Sequence, residues 1–376
     1  MYRGAQKKLC QEFRSFLHTL NTEVYGTIRL RLDGAITNVK PSVNLSFRKL
    51  YSLHHPSIRI DCQLPAMPSE PSDPTALTQL FHHDTSTHSY TIHWTCLGSP
   101  NSPPLIFIHG TPWSSRVWVP YALSLSRRFQ VYLSDNPGFG DSPLGHPLTV
   151  KEESNPEQAA LDADLAQQSE VWAALLKMWE VGGWNGRKAH VVAHDHGGLM
   201  ALRAGLLHGC SYASLCLIDV VAIGPFGHPL FKLVAENRGV FDRLPDTVFE
   251  GLLESYIRDA AYKELDGKTM EVLKRPWMRK GRKDAFIRQL CQANSRKTEE
   301  VEGRYGEIGD KVPVMIIWGQ EDRWIPVETA KRLGRVLKAK EMVVIEGAGH
   351  LVMYDQGERL GVELGWWLSS AVGAQN

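Results

Sequence analysis

The stretch VVAHDHGGLMALR (residues 191–203) runs from a short apolar segment into a helix-like one and sets Asp195 between two histidines at the junction. An aspartate in that place has three readings. It can cap the helix, accepting a free amide N–H of the first turn. It can join His190, His194 and His196 as a metal ligand, since imidazoles that converge recruit zinc. It can also be a nucleophile, because Ala193-His194-Asp195-His196-Gly197 has the small–x–acid–x–glycine spacing of a sharp strand-to-helix elbow, where small residues let the two backbones approach. Such a turn lifts the central side chain above a sheet and aims the next amide, that of His196, toward the atom under attack. On this stretch alone, capping is the ordinary reading. The metal reading suffers because His194 and His196 straddle the turn and their side chains should diverge.

Working outward, HSYTIHWTCLG (88–98) alternates like a half-buried strand, and PPLIFIHG (103–110) is a continuous apolar run closed by glycine. FQVYLSD (129–135), KAHVVAHD (188–195), ASLCLID (213–219), VPVMIIWG (312–319) and EMVVIEG (341–347) repeat that second pattern, as buried parallel strands do. Helical periodicity fills the intervals at 157–181, 196–209, 327–338 and 357–372. Alternation of this kind predicts a mostly parallel sheet covered by helices on both faces. The interval 225–311 breaks it: only helical pieces such as DTVFEGLLESYIRDAAYKEL (246–265) occur there, which predicts an inserted helical cap over the carboxyl ends of the strands. Residues 1–77 read as an extension ending in the Pro/Ser-rich linker PAMPSEPSDPTA (65–76), and 78–224 with 312–376 as the two parts of the core.

Other strand ends carry chemistry. FIHGTPWSS (107–115) offers the Thr111 amide as an oxyanion donor, IIWGQEDRWIP (316–326) puts Asp322 just past one strand, and IEGAGHLVMYDQ (345–356) puts His350 just past the last. Nucleophile, acid and histidine thus follow in order, each at a strand's carboxyl end, and the convergence favours the nucleophile reading of Asp195. Asp219, ending LCLID, is the alternative acid. Asp135 and Asp141 in SDNPGFGDS (134–142) read as structural turn residues.

These motifs resemble an α/β-hydrolase, and the His-Asp-x-Gly-Gly elbow is similar to the aspartate-nucleophile branch that contains epoxide hydrolases and haloalkane dehalogenases. The lid phrase RPWMRKGRKDAFIRQL (275–290) resembles that branch too. The resemblance spans roughly 78–372. It implies Asp195 as nucleophile, His350 as general base, Asp322 as its orienting acid, and the Thr111 and His196 amides as the oxyanion hole. It implies no cofactor and no metal. A carboxylate is already ionised at neutral pH, and its attack on an sp³ carbon gives an ordinary ester, whereas attack on an acyl carbon gives a high-energy anhydride. The expected substrate is therefore a small organic electrophile, an epoxide first and an alkyl halide or haloacid as the alternative.

The two leaving groups need different partners. Dehalogenases of this branch typically have a tryptophan after the nucleophile, and here that place holds His196; Trp113 or the lid residue Trp277 would have to substitute. Epoxide hydrolases use lid tyrosines, for which Tyr256, Tyr262 and Tyr305 are the candidates, with Trp113 as a further substrate-contacting residue. A non-catalytic ligand-binding protein on the same fold is the alternative of another class.

Composition bounds the rest. In 376 residues, a formal charge of +1 and a pI near 7.7 give no field to attract nucleic acid or an anionic membrane. The basic run KRPWMRKGRK (274–283) reads as a solvated lid turn. Cys10, Cys62, Cys96, Cys210, Cys216 and Cys291 are scattered without a paired framework, as expected of free thiols in the cytoplasm. No apolar run approaches the roughly 20 residues of a membrane span. MYRGAQKKLCQEFRSFLHTL (1–20) lacks a secretory core, and its basic residues leave a mitochondrial presequence as the alternative, which Glu12 and Glu23 fit poorly. A small-molecule substrate and a monomer or homodimer complete the expectation.

Overall fold

The computed structural model describes residues 28–32, 35–39, 59–61, 73–148, 162–226 and 229–373. The chain divides into two compact units, Met1–Asp73 and Pro74–Asn376. In the first, strand β1 (Ile28–Leu32) pairs antiparallel with both β2 (Ala35–Val39) and β3 (Arg59–Asp61). The presequence-like first 20 residues and most of the Pro/Ser-rich linker lie outside the described residues.

Among the described residues, the second unit is built on a nine-stranded sheet. Its strands are β4 (Gln79–Asp84), β5 (His88–Leu97), β6 (Pro104–Ile108), β7 (Gln130–Ser134), β8 (His146–Pro147), β9 (Ala189–His194), β10 (Tyr212–Ile218), β11 (Val314–Gly319) and β12 (Glu341–Ile345). They lie in the order β12-β11-β10-β9-β6-β7-β5-β4, with β8 against the end of β5. From β7 to β12 every neighbouring pair is parallel, while β4 and β5 run antiparallel at one edge. This is the α/β-hydrolase fold. The central strands β6, β9, β10 and β11 are buried at every residue, which is why they read as unbroken apolar runs, and β5 alternates.

Side chains alternate between two cores. Phe107, Val192, Cys216, Ile218 and Ile317 face one, and Ile106, Ile108, Val191, Ala193, Leu217 and Ile316 the other. The helices α1 (Val119–Leu125), α2 (Leu165–Gly183) and α3 (His196–Leu207) come before the interval that lacks strands. That interval holds α4 (Pro229–Glu236), α5 (Arg238–Phe241), α6 (Asp246–Ala260), α7 (Gly267–Lys274), α8 (Arg282–Gln292), α9 (Arg296–Glu302) and α10 (Tyr305–Gly309). Phe231, Phe249, Leu253, Tyr256 and Phe286 of α4, α6 and α8 join the first core. Val301, Tyr305 and Ile308 of α9 and α10 join the second, packed on α3. The helices α11 (Val327–Val336), α12 (Val352–Asp355) and α13 (Gly357–Gly373) close the chain. Among the described residues, no helix is long and apolar enough to cross a membrane.

The basic run of the cap is exposed at Arg275, Arg279 and Lys280, yet several of its side chains are tied down. Arg279 pairs with Asp141 at 2.7 Å, Arg282 Nη1 donates to the Ser142 carbonyl at 2.8 Å, and the Trp277 indole donates to the Pro112 carbonyl at 2.7 Å. Lys274 is held by Glu250 and Glu254, at 2.5 and 2.6 Å. Arg279 and Arg282 fasten the cap to the loop that follows β7 and Trp277 fastens it to the loop that follows β6, while Lys274 ties two cap helices together.

Candidate functional site

Five strands end around one point: β6 runs into Gly110 and Thr111, β9 into Asp195, β10 into Asp219, β11 into Asp322 and β12 into His350. Since β7 and β9 flank β6 on opposite sides, this point lies beside the place where the strand order reverses, the usual ligand crevice of such sheets. Asp195 has φ 51° and ψ −127°, a left-handed backbone that costs a non-glycine residue about 1–3 kcal/mol. It opens α3, yet its side chain makes no capping hydrogen bond. The elbow is tight on both sides. A Cβ on Gly110 would sit 2.3 Å from Asp195 Oδ2, and one on Gly197 would sit 2.7 Å from the His109 carbonyl. Gly110→Ala is therefore expected to push the Asp195 carboxylate aside and lower turnover about 100-fold, which steady-state kinetics on the variant would check.

The two oxygens of that carboxylate are treated differently. Oδ2 accepts from the Thr111 amide at 2.6 Å and from the His196 ring Nδ1 at 3.0 Å. Oδ1 faces His350 Nε2 at 3.6 Å, a charge contact too long for a hydrogen bond. On its other side, His350 Nδ1 meets Asp322 Oδ2 at 2.9 Å, and Asp322 Oδ1 accepts the amides of Trp324 and Ile325 at 2.8 and 2.9 Å. The structure thus brings together Asp195, His350, Asp322 and the Thr111 amide. In the free carboxylate the second donor on Oδ2 is the His196 ring, a contact the sequence did not suggest. Asp219 does not reach His350 Nδ1; its Oδ1 accepts the Gly319 amide at 2.8 Å.

The neighbouring histidines have separate duties. His194 Nε2 donates to the His350 carbonyl at 2.8 Å, on the far side from His196, so the two imidazoles do not converge on a common point. Among the described residues, no group of three or more His, Cys, Asp or Glu is placed to hold a metal ion. His109 accepts the Asn136 amide at Nε2 and donates from Nδ1 to the Gly110 carbonyl, both at 2.9 Å, which fixes the loop carrying Thr111. Asp135 takes the amides of Ser115 and Asp141, each at 2.7 Å.

Burial and charge tune the set. Burial alone would raise the Asp195 carboxyl, but the adjoining His196 and His350 rings outweigh it and hold it well below the usual carboxylate range. Burial would lower His350; the charges of Asp322 and Asp195, with their contacts, outweigh that and raise it well above an ordinary histidine. Burial, then the charge of Asp322, raises Asp219 well above the usual carboxylate range. His194, with burial and the nearby His350 against it, is pushed down to about 3 and is neutral at pH 7.

Aromatic rings form a closed circuit of contacts that begins and ends on Asp195. His350 lies 4.9 Å from Trp324, Trp324 stacks on Tyr256 at 4.5 Å, Tyr256 meets Phe231 at 6.3 Å, and Phe231 stacks on His196 at 6.3 Å. Trp113 stacks on Trp324 at 6.1 Å, and its indole N–H is buried without a hydrogen-bond partner. Two of the expected substrate residues, Trp113 and Tyr256, therefore belong to the site. The other two do not. Tyr262 follows the end of α6, donates its amide to Asp355 and leaves its ring 55% exposed. Tyr305 is buried in the opposite core with its hydroxyl on the Ala222 carbonyl at 2.7 Å. Trp277 has its N–H committed to Pro112 and has none to offer a halide. Trp324, Phe226 and Phe231 went unnoticed in the sequence. Trp324, two residues past Asp322 on a strand-end loop, carried a signal; the phenylalanines reach the site only through folding of the cap. A groove of about 690 Å³, lined by Leu230, Leu252, Arg258 and Arg323 among others, shares Tyr256 with the circuit.

Residues 105–361 match the model of a family described as the alpha/beta hydrolase family. Among solved structures, an alpha/beta hydrolase fold protein from Burkholderia ambifaria is 32% identical, with 76% of this chain and 99% of that one covered and a TM-score of 0.64. Among curated relatives, the dihydrolipoyllysine-residue acetyltransferase component of the acetoin cleaving system of Pseudomonas putida is 25% identical over 283 residues, 73% of this chain and 65% of that one. A fluoroacetate dehalogenase from Burkholderia sp is 25% identical over 241 residues, 60% of this chain and 73% of that one.

Proposed function

The chain belongs to the alpha/beta hydrolase family, and from that premise we propose that it hydrolyses a small epoxide through an ester on Asp195, without metal or cofactor. One observation carries the reading: an ionised carboxylate at the elbow has Oδ2 anchored by Thr111 and His196 while Oδ1 is left without a hydrogen bond, facing His350. Oδ1 attacks one sp³ carbon, the bond from that carbon to the ring oxygen breaks with its electron pair going to oxygen, and the oxygen, still held by the neighbouring carbon, takes up a proton that hydrolysis of the ester later returns. His350, oriented by Asp322, then takes a proton from water, which attacks the ester carbonyl, and the developing charge on Oδ2 meets the Thr111 N–H and the His196 Nδ1–H. The elevated His350 fits this order. The charge of Asp195 helps keep it protonated in the free enzyme; esterification removes that charge, so its pKa falls when a base is needed.

The same shifts set the pH dependence. Asp195 stays ionised well into acid, whereas His350 in the ester form must lose a proton to act. Lowering the pH from neutral to about 5 is therefore expected to spare ester formation and slow its hydrolysis, so that rapid-quench mass spectrometry finds more ester in the steady state. Ester formation failing first would contradict the assignment.

A second reading, hydrolytic dehalogenation, has one observation in its favour: the buried, unpartnered indole N–H of Trp113 beside Trp324. The dehalogenase among the relatives agrees with it. Matched panels of terminal epoxides and 1-haloalkanes separate the two. Diol formation with little halide release is expected; halide release alone selects the second reading, and turnover confined to carboxylic esters rejects both.

A further inference from the structure

His350 works beside Asp195 but comes to it from the edge of the sheet. It follows β12, and in the order β12-β11-β10-β9 two strands separate that edge from the strand that leads into Asp195. At roughly 4.8 Å per strand, the loop 346–351 has about 14 Å of sheet to cross, so its place depends on what holds its far end. The His350 ring is held at Nδ1 by Asp322, and the next amide, that of Leu351, is held by the Ala260 carbonyl at 3.1 Å. A further anchor is His194, the last residue of β9 and the neighbour of Asp195. Its Nε2 lies 2.8 Å from the His350 carbonyl oxygen, and since a carbonyl only accepts, Nε2 carries a proton.

The His194 ring has no other hydrogen bond among the described residues. Its Nδ1 is buried without a partner, and the ring packs on His350 at 4.7 Å and on Trp118 at 6.4 Å. It stands on a strand buried at every residue, a rigid base for a contact. Asp322 orients the His350 ring; His194 fixes the main chain from which that ring hangs. Because His194 and Asp195 are consecutive, a single residue ties the base to the nucleophile it faces at 3.6 Å.

We propose that His194 is a positioning residue for the second half of the reaction, its Nε2–H holding the His350 main chain so that the imidazole stays within reach of the water that attacks the Asp195 ester. The proposal rests on the reading of Asp195 as nucleophile and His350 as base. In that step the water oxygen bonds to the ester carbonyl carbon, a water proton passes to His350 Nε2, and the bond from that carbon to the alkoxy oxygen breaks. Of the two water protons, one leaves on the alcohol and the other replaces the proton taken up at ring opening. Ester formation needs no base, so the effect of His194 falls on hydrolysis.

Two amides make the test. Glutamine carries its amide nitrogen as many bonds from the main chain as Nε2, whereas asparagine stops at the place of Nδ1 and does not reach the His350 carbonyl. Each buries one primary amide. His194→Asn should slow hydrolysis of the Asp195 ester by about 10- to 100-fold, the scale on which a small misplacement acts, and His194→Gln should recover most of that loss. Rapid-quench mass spectrometry of the Asp195 peptide reads both. With hydrolysis alone slowed, kcat and KM fall together; a general loss of folded enzyme lowers kcat at constant KM. Wild-type enzyme gives a readout free of any substitution: ¹⁵N shifts of the His194 imidazole should show Nε2 protonated before and after the ester forms. Hydrolysis at the wild-type rate in His194→Asn, glutamine no better than asparagine, kcat falling at constant KM, or an unprotonated Nε2 would overturn the role of His194. Absence of an Asp195 ester from wild type is a different failure, that of the nucleophile reading, and ester hydrolysis that survives His350→Ala is the failure of the base.

Discussion

Asp195→Asn is expected to lose turnover by about 10⁴-fold or more, the scale on which removal of a catalytic nucleophile acts, while the protein keeps its fold. The reasoning lies in what the carboxylate does and does not hold in place. It makes no capping bond to α3, so the helix does not depend on it. Its backbone at φ 51° is strained, and asparagine tolerates positive φ about as well as aspartate. Asparagine can still receive the Thr111 amide on its carbonyl oxygen, but it offers no anionic Oδ1. Kinetics and thermal melting on the same sample separate the two effects. A melting temperature within a few degrees of wild type, alongside the activity loss, is the expected result; substantial residual turnover would mean that another group attacks. The variant has a second readout. Removing the negative charge beside His350 should lower that ring's pKa, since Asp195 is among the groups that raise it, and an imidazole titration by NMR would follow the change.

Asp322→Asn is the second large effect, and it should fall on one half of the reaction. The carboxylate accepts the His350 Nδ1–H at 2.9 Å while taking two backbone amides, so it fixes both the tautomer and the orientation of the ring. An amide in its place allows the wrong tautomer, a change that costs about 10⁴-fold in the serine–histidine–aspartate template from which this magnitude is taken. Ester formation does not need a basic His350, so the variant should form the ester at close to the wild-type rate and hydrolyse it slowly. A pre-steady-state burst that consumes one equivalent of epoxide per site and loads it on Asp195 without releasing diol, followed by near-zero turnover, is the signature. Asp219 is not expected to take over, because its Oδ1 is engaged with the Gly319 amide while His350 Nδ1 is held by Asp322. Loss of activity on Asp219→Asn as severe as on Asp322→Asn would reverse that assignment.

What the sequence made legible follows from which forces are local. The parallel strands β6, β9, β10 and β11 announced themselves because burial on both faces demands apolar residues without interruption. Asp195 and Asp322 were legible because each lies just past such a strand, and His350 because it follows the parallel edge strand β12, where chain position fixes spatial position. β4 was not, since its edge position leaves most of its residues exposed and little pattern to read. The cap was legible as helical, but not in its contacts. Tyr256, Tyr262 and Tyr305 have equal claims in sequence, and only tertiary packing sends one toward Asp195, one to solvent and one to the opposite core. The contacts of the basic turn were illegible for the same reason: Arg279 and Arg282 find their partners in residues 138–142, more than a hundred positions away. The His196 ring is the sharpest case. The sequence offers its amide to the oxyanion, and the fold brings its side chain to Oδ2 as well.

The central claim, that the reaction passes through an ester on Asp195, is tested most directly by trapping it. His350→Ala removes the base while leaving Asp195 Oδ2 with Thr111 and His196. Mixed with a reactive epoxide and digested, this variant should yield the peptide containing Asp195 heavier by the mass of one substrate, at about one equivalent per chain. An unmodified Asp195 peptide from a variant that still consumes the epoxide, or the added mass on a different residue, would contradict the account.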